Sequence, residues 1–153
     1  MPAVIIADAS CLILLAKIDK IWVLQRMYGE IAVTPTVYEE VGLDLPLWVK
    51  VVQPASVRNS ERLHYLLDGG EASSISLALD FRGSLVVLDD LKARKVAQKL
   101  KLTVTGTLGV LMEAKRRGHI SSVKSVVDAI RKTNFRISVW LEHEVLRQAG
   151  EET

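Results

Sequence analysis

Residues 4–15 read VIIADASCLILL. Four apolar residues run into a single acid, Asp8, and the chain then passes through Ala9 and Ser10 into a second apolar run with helical spacing. This is the pattern of a buried strand that delivers a carboxylate to the mouth of a strand-to-helix turn. An ionised side chain in so apolar a setting is costly unless it faces solvent, is paired, or binds a cation. What the rest of the chain supplies for Asp8 therefore decides the reading.

The same alternation continues outward. Short apolar runs at residues 31–33, 49–52, 84–88 and 102–104 read as strands, and longer periodic stretches between and after them read as helices. Thr34 followed by Pro35 reads as a helix cap with proline in the first helical position, with Val37, Tyr38 and Val41 inward. Residues 56–67 read as a helix with a polar face, and Asp68-Gly69-Gly70-Glu71 as a turn feeding a periodic helix. Helices follow at residues 92–100, 107–117, 121–132 and 139–148, with a short extended piece at 135–138. Strands of four or five residues alternating with helices predict an α/β fold: a central parallel sheet of four to five strands, covered on both faces in a three-layer α/β/α sandwich. No internal repeat, low-complexity tract or linker interrupts residues 1–153, so one domain is expected.

At 49% hydrophobic and 25% charged residues, the composition is that of a globular chain and excludes disorder. A net charge of +2 permits nucleic acid as a partner without arguing for it. The single cysteine, Cys11, excludes an internal disulfide and a Cys-rich zinc site, and reads as a small core residue. The N-terminal apolar stretch lacks a basic leader and is interrupted by Asp8, so it is neither a signal peptide nor a membrane span. A cytoplasmic protein is expected.

Parallel strands end at one edge of a sheet, and ligands of open α/β folds bind outside that edge. Asp8 closes the first strand, and Asp89 with Asp90 closes the strand at 84–88. Glu71 begins the helix after two glycines, and Glu39 and Glu40 lie in the first turns of the helix that follows the second strand. Four segments thus aim carboxylates at one region with no evident basic residue buried among them. Each acid also has a plainer role: Asp8 as a helix cap, Glu71 as an acid favoured at a helix N-terminus, Asp89 and Asp90 as loop or cap residues, one of Glu39 and Glu40 as a solvated residue. Together they would repel one another, and a divalent cation is the economical remedy. Oxygen-only ligation suits Mg²⁺ or Mn²⁺. Such an ion lowers the pKa of a water, orients it and stabilises a leaving oxygen, which is the equipment for phosphodiester hydrolysis.

The chain resembles PIN domains, specifically small prokaryotic PIN-like proteins related to VapC-type ribonuclease toxins. The pieces that carry the resemblance are IIADASCLILLAKI, VTPTVYEEV, GGEASSISLAL, LVVLDDLKARKVAQKLKLTVTGTLGVLMEAKRRG and RISVWLEHEVLRQAGE, in this order over nearly the whole chain. The resemblance implies a quartet of acids filled by Asp8, one of Glu39 and Glu40, Glu71, and one of Asp89 and Asp90. Glu40, directly before Val41, matches the pattern better than Glu39, and Asp90 is favoured over Asp89. Ser10 resembles a small hydroxyl beside the metal. Thr105 and Thr107 could add hydroxyls near a phosphate, with a helix cap the plainer role of Thr107. Lys92, Arg94, Lys95 and Lys99 read as a solvated face, except that Arg94 stands four residues from Asp90 and is placed to pair with it.

The resulting expectation is a Mg²⁺- or Mn²⁺-dependent ribonuclease, the toxin of a toxin–antitoxin pair. The resemblance alone implies the antitoxin. Trp22, Trp48 and Trp140 are candidates for a homodimer or antitoxin contact, with core packing expected for at least two of them. Two rival classes share parts of the pattern. A non-catalytic PIN-fold module would bind nucleic acid or a partner without cleaving RNA. A phosphoacceptor receiver domain would need a lysine at the end of the last strand, which the sequence does not clearly provide.

Overall fold

The computed structural model describes residues 4–151, apart from the side chains of Val57 and Arg58. Five strands form one parallel sheet: β1 (Ile5–Ala7), β2 (Ile31–Val33), β3 (Val49–Val51), β4 (Leu85–Val87) and β5 (Thr103–Thr105), in the order β3-β2-β1-β4-β5. Nine helices among the described residues surround it: α1 (Ala9–Lys17), α2 (Trp22–Tyr28), α3 (Pro35–Val41), α4 (Val57–His64), α5 (Gly69–Asp80), α6 (Leu91–Lys99), α7 (Thr107–Arg116), α8 (Val123–Arg131) and α9 (Val139–Gln148).

Alternation along each strand sorts the core into two layers. Ile5, Ala7, Ile31, Val33 and Val87 face one side, where they pack with α1, α2, α7, α8 and α9. Ile6, Ala32 and Val86 face the other, against α4, α5 and α6. The inner strands β1, β2 and β4 are buried on both faces, which is why they read as continuous apolar runs, whereas the edge strands β3 and β5 are partly exposed. Cys11 lies wholly within the first layer as a small core residue, and burial pushes its thiol up to about 12.

Strand order places the site. The chain steps from β1 outward to β2 and β3, then returns to the other side of β1 for β4 and β5. The order of strand addition therefore reverses between β1 and β4, the switch point at which open parallel sheets leave a crevice beyond the carboxyl ends of both strands. The pairing of Ala7 with Val87 fixes their ends level, and the Asp8 backbone N–H donates to the Val87 carbonyl at 3.1 Å.

Local signals behave largely as their chemistry dictates. The Thr34 hydroxyl accepts from the Val37 N–H at 3.1 Å with Pro35 behind it, and Gly42 closes α3 in the left-handed region at φ 64°. Three expectations need correction. Gly69 and Gly70 lie inside the first turn of α5, because Asp68 caps that helix by accepting from the Glu71 N–H at 2.9 Å. Tyr38 is exposed rather than inward, since Val37 and Val41 alone fill the buried stripe of this two-turn helix. Of the tryptophans, only Trp48 packs against the core. Trp22 lies at the surface, donating to the Asp19 carbonyl with the Lys20 ammonium over its ring, and Trp140 is 75% exposed. Among the described residues no helix is long and apolar enough to cross a membrane.

Candidate active site

Asp8 sits at the N-cap position of α1 yet makes no cap hydrogen bond. Its plainer role as a helix cap thus fails. The residue is only 7% exposed, and its Oδ1 is buried without a hydrogen-bond partner. Burial, foremost, pushes its carboxyl up to about 7, against the Ala9 backbone N–H, and the charges of Asp68, Glu40 and Asp89 push the same way. These three acids come from the α4–α5 turn, α3 and the end of β4, near enough for their charge to bear on Asp8.

Glu71, in the first turn of α5, is likewise raised to about 7, by burial and then by Asp68, Asp90 and Asp8. Glu40 is raised by burial and Asp68, with the Gly70 backbone N–H opposing. Its carboxylate lies directly against Gly70: a Cβ there would stand 2.5 Å from one carboxylate oxygen and 2.8 Å from the other. Both glutamates are exposed, and Glu40 is the one in contact with Gly70. Glu40 is thus the member of the pair that Gly70 and Asp68 adjoin.

The aspartate pair divides differently from the expectation. Asp90 caps α6, with its Oδ2 accepting from the Ala93 N–H at 2.9 Å, and is exposed. Asp89 is half-buried and tied into the crevice. Its Oδ1 accepts from the Thr107 N–H and its Oδ2 from the Thr107 hydroxyl, each at 2.7 Å, and the Ser10 hydroxyl donates to Oδ2 at 3.2 Å. Asp89 is thus the member that links β4 to α1 and α7, while Asp90 faces Glu71 from a cap.

Thr107 is not the cap of α7. Gly106 holds that position, because the Thr107 side chain is drawn back to Asp89. The Thr105 hydroxyl turns toward the α7 backbone, donating to the Gly106 carbonyl at 3.5 Å and lying where a Cβ on Gly109 would be, and so does not reach the acids. Arg94 does not pair with Asp90. A Cβ on Gly106 would stand 3.3 Å from the Arg94 guanidinium and 3.1 Å from Asp89 Oδ1, so Arg94 folds toward the Asp89 end of the crevice.

Sequence reasoning passed over Asp68. Its role as a cap was legible in Asp-Gly-Gly before a periodic helix, but its charge bears on Asp8, Glu40 and Glu71 alike. The signal was its position three residues before Glu71, which puts both carboxyl groups on the first turn of α5. The receiver-type alternative loses support here, since β5 ends in Thr105 and Gly106 without a lysine.

Among the described residues no three His, Cys, Asp or Glu side chains stand close enough to form a ready-made metal cage. The donor chemistry nevertheless fits a hard divalent ion that keeps much of its water and takes only one or two carboxylates directly. Asp8 Oδ1 is an orphaned buried acceptor, and its acidic neighbours disfavour its charge unless a cation compensates.

A parallel α/β sheet with acids beyond its switch point belongs to the class of open α/β domains that bind their ligands at that edge. The family model DUF3368, a PIN domain, matches residues 4–151, and the chain belongs to this PIN domain family. Membership carries a nuclease-type function, and PIN domains typically use divalent metals. No curated protein and no solved structure matches the chain.

Proposed function

We propose that the protein is a Mg²⁺- or Mn²⁺-dependent ribonuclease. The observation that carries this reading is the orphaned Oδ1 of Asp8, a residue only 7% exposed that feels the charge of acids from three other segments. Asp8, Glu40, Glu71 and the Asp89–Asp90 pair would hold the ion, which when bound supplies an activated water and stabilises the leaving oxygen of a phosphodiester. Ser10 and Thr107 hold Asp89 in place, and Glu40 is seated by the absence of a side chain at Gly70. Asp68 fixes the first turn of α5 and thereby the origin of Glu71. Arg94 supplies a positive charge at the Asp89 end, where a substrate phosphate would pass.

The resemblance of the sequence to VapC-type toxins is what suggests a role as the toxin of a toxin–antitoxin pair, with a cognate antitoxin as partner. The exposed Val139 and Trp140 at the start of α9 support a homodimer. The test of the activity is direct: incubate the protein with mixed RNA, with Mg²⁺ or Mn²⁺ and with chelator, beside an Asp8→Asn variant. Metal-dependent cleavage lost in Asp8→Asn is expected; cleavage that survives the substitution overturns the assignment.

A further inference from the structure

A hollow of about 270 Å³ adjoins the acidic edge along α1. Ile13, Leu14 and the Phe135 ring give it an apolar lining, Ser10 closes one end, and Lys17 with Asn134 closes the other. Ser10, Ile13, Leu14 and Lys17 are spaced by three, four and seven residues and so lie along one stripe of α1. Ser10 belongs to both regions, because the hydroxyl at this end of the hollow donates to Asp89. Lys17 stands about 10 Å further along the helix.

The far end is polar and set in place. The Lys17 ammonium donates to Asn134 Oδ1 at 2.9 Å, and among the described residues no carboxylate pairs with it. Its charge is therefore available to an anion. Thr133 fixes the approach to Phe135, donating to the Ile130 carbonyl at 2.6 Å and accepting from the Phe135 N–H at 3.1 Å. An aromatic ring held by its own loop, beside a cation with no acidic partner and continuous with an acidic edge, combines stacking surface with electrostatic attraction. At about 270 Å³ the hollow falls just below the range of pockets for drug-sized ligands, about 300–1,000 Å³, and suits a single flat ring system.

We propose that this hollow is a base subsite: it takes one unpaired nucleobase of an RNA strand whose phosphodiester lies at the acidic edge, with the base against Phe135 and Lys17 on a neighbouring phosphate. A base in a duplex is stacked and paired and cannot enter, so the subsite confers preference for single strands. The proposal rests on the nuclease reading for the polymer at the edge, but its binding test does not require cleavage.

The test uses the whole protein in chelator, with a fluorescent single-stranded RNA octamer and a series in which each nucleotide in turn is abasic. One abasic position is expected to weaken wild-type binding by about tenfold, the order of one base–aromatic stack. Phe135→Leu keeps the apolar packing and is expected to bind the intact octamer about tenfold more weakly, with no further loss at that abasic position. Phe135→Tyr restores both, and Lys17→Gln lowers the salt dependence of binding. Circular dichroism verifies that each variant is folded. Phe135→Leu binding as wild type, or a wild type indifferent to every abasic position, overturns the subsite. If the abasic pattern holds while wild type with Mn²⁺ leaves RNA intact, the nuclease reading falls and the subsite stands. If RNA is cleaved but Phe135→Leu retains wild-type affinity and kcat/KM, the subsite alone falls.

Discussion

Asp89 and Thr107 are joined twice: the threonine donates both its backbone N–H and its hydroxyl to the two oxygens of one carboxylate, each at 2.7 Å. The pair locks the end of β4 to the start of α7 and leaves Asp89 aimed at Ser10 across the switch point. Orienting bonds of this kind commonly change metal affinity or activity by about 10- to 100-fold. Thr107→Val removes the hydroxyl bond while keeping the shape. Cleavage should fall within that range, with about 1 kcal/mol lost from stability, and Thr107→Ser should restore both. A Thr107→Val enzyme with unimpaired turnover would show that Asp89 does not need this anchor.

The two glutamates of α3 make a sharper contrast. Both are exposed, but Glu40 lies against Gly70 and feels Asp68. Glu40→Gln should reduce metal-dependent cleavage by at least about 100-fold, the scale of losing a catalytic electrostatic contact. Glu39→Gln should leave it unchanged. Parallel rate measurements on both variants decide the assignment.

Much of this arrangement was legible in the sequence because it rests on short-range chemistry. The apolar runs at Ile5–Ala7 and Leu85–Val87, the cap of α3 at Thr34 and the position of Asp8 at a strand end are local patterns. Which member of an adjacent pair faces the crevice is not. Asp89 turns inward because Thr107, eighteen residues away, offers it two donors, and Asp90 turns aside because the Ala93 N–H of its own helix is the nearer partner. Likewise Arg94 is drawn toward Gly106 and Asp89 rather than to its helical neighbour, which spacing alone favoured. Asp68 was recognisable as a cap, but its electrostatic reach to Asp8 and Glu40 depends on how α3, α5 and β1 pack.

Asp8 should weaken the fold that it serves. A buried carboxylate oxygen without a partner, facing Asp68, Glu40 and Asp89, destabilises the protein when no cation compensates it. In chelator, Asp8→Asn should melt above wild type, by about 1–2 kcal/mol in stability, although it is inactive. Added Mn²⁺ should raise the wild-type Tm and leave that of Asp8→Asn nearly unchanged. A variant less stable than wild type in chelator would mean that Asp8 has a structural partner after all.

Glu151 governs the acid limit of stability at the opposite end of the chain. Burial works against its charge, but Lys115, the Lys124 and Val123 backbone N–H groups and the Ser122 hydroxyl all donate to it, at 2.6–3.0 Å, and together bring it down to about 2. A folded-state pKa below the ordinary value of 4.5 contributes stability that is present above that value and lost as pH falls toward 2. Glu151→Gln should cost about 1–3 kcal/mol at pH 7, and the difference from wild type should shrink progressively below pH 4.5. Denaturant titrations across pH, with hydrogen exchange at the start of α8, would reveal it. A constant difference from pH 7 to pH 2.5 would exclude this carboxylate as the source.

Gly70 offers a substitution in which stability and activity should move in opposite directions. The residue lies in the first turn of α5, where replacing glycine by alanine lowers the conformational entropy of the unfolded chain and favours the helix by up to about 1 kcal/mol. Its backbone carries no positive φ that would oppose the change. The new methyl would nevertheless stand 2.5 Å from a Glu40 carboxylate oxygen, too close for both to remain. Because that oxygen is the end of a flexible side chain, Glu40 swings away at little cost to the fold. Gly70→Ala should therefore melt at or slightly above the wild-type temperature while metal-dependent cleavage falls toward the level of Glu40→Gln. The double variant Gly70→Ala/Glu40→Gln should be no slower than Glu40→Gln alone, since the methyl acts only through that carboxylate. Additive losses in the double variant would mean that Gly70 serves the site through its own backbone and not as the seat of Glu40.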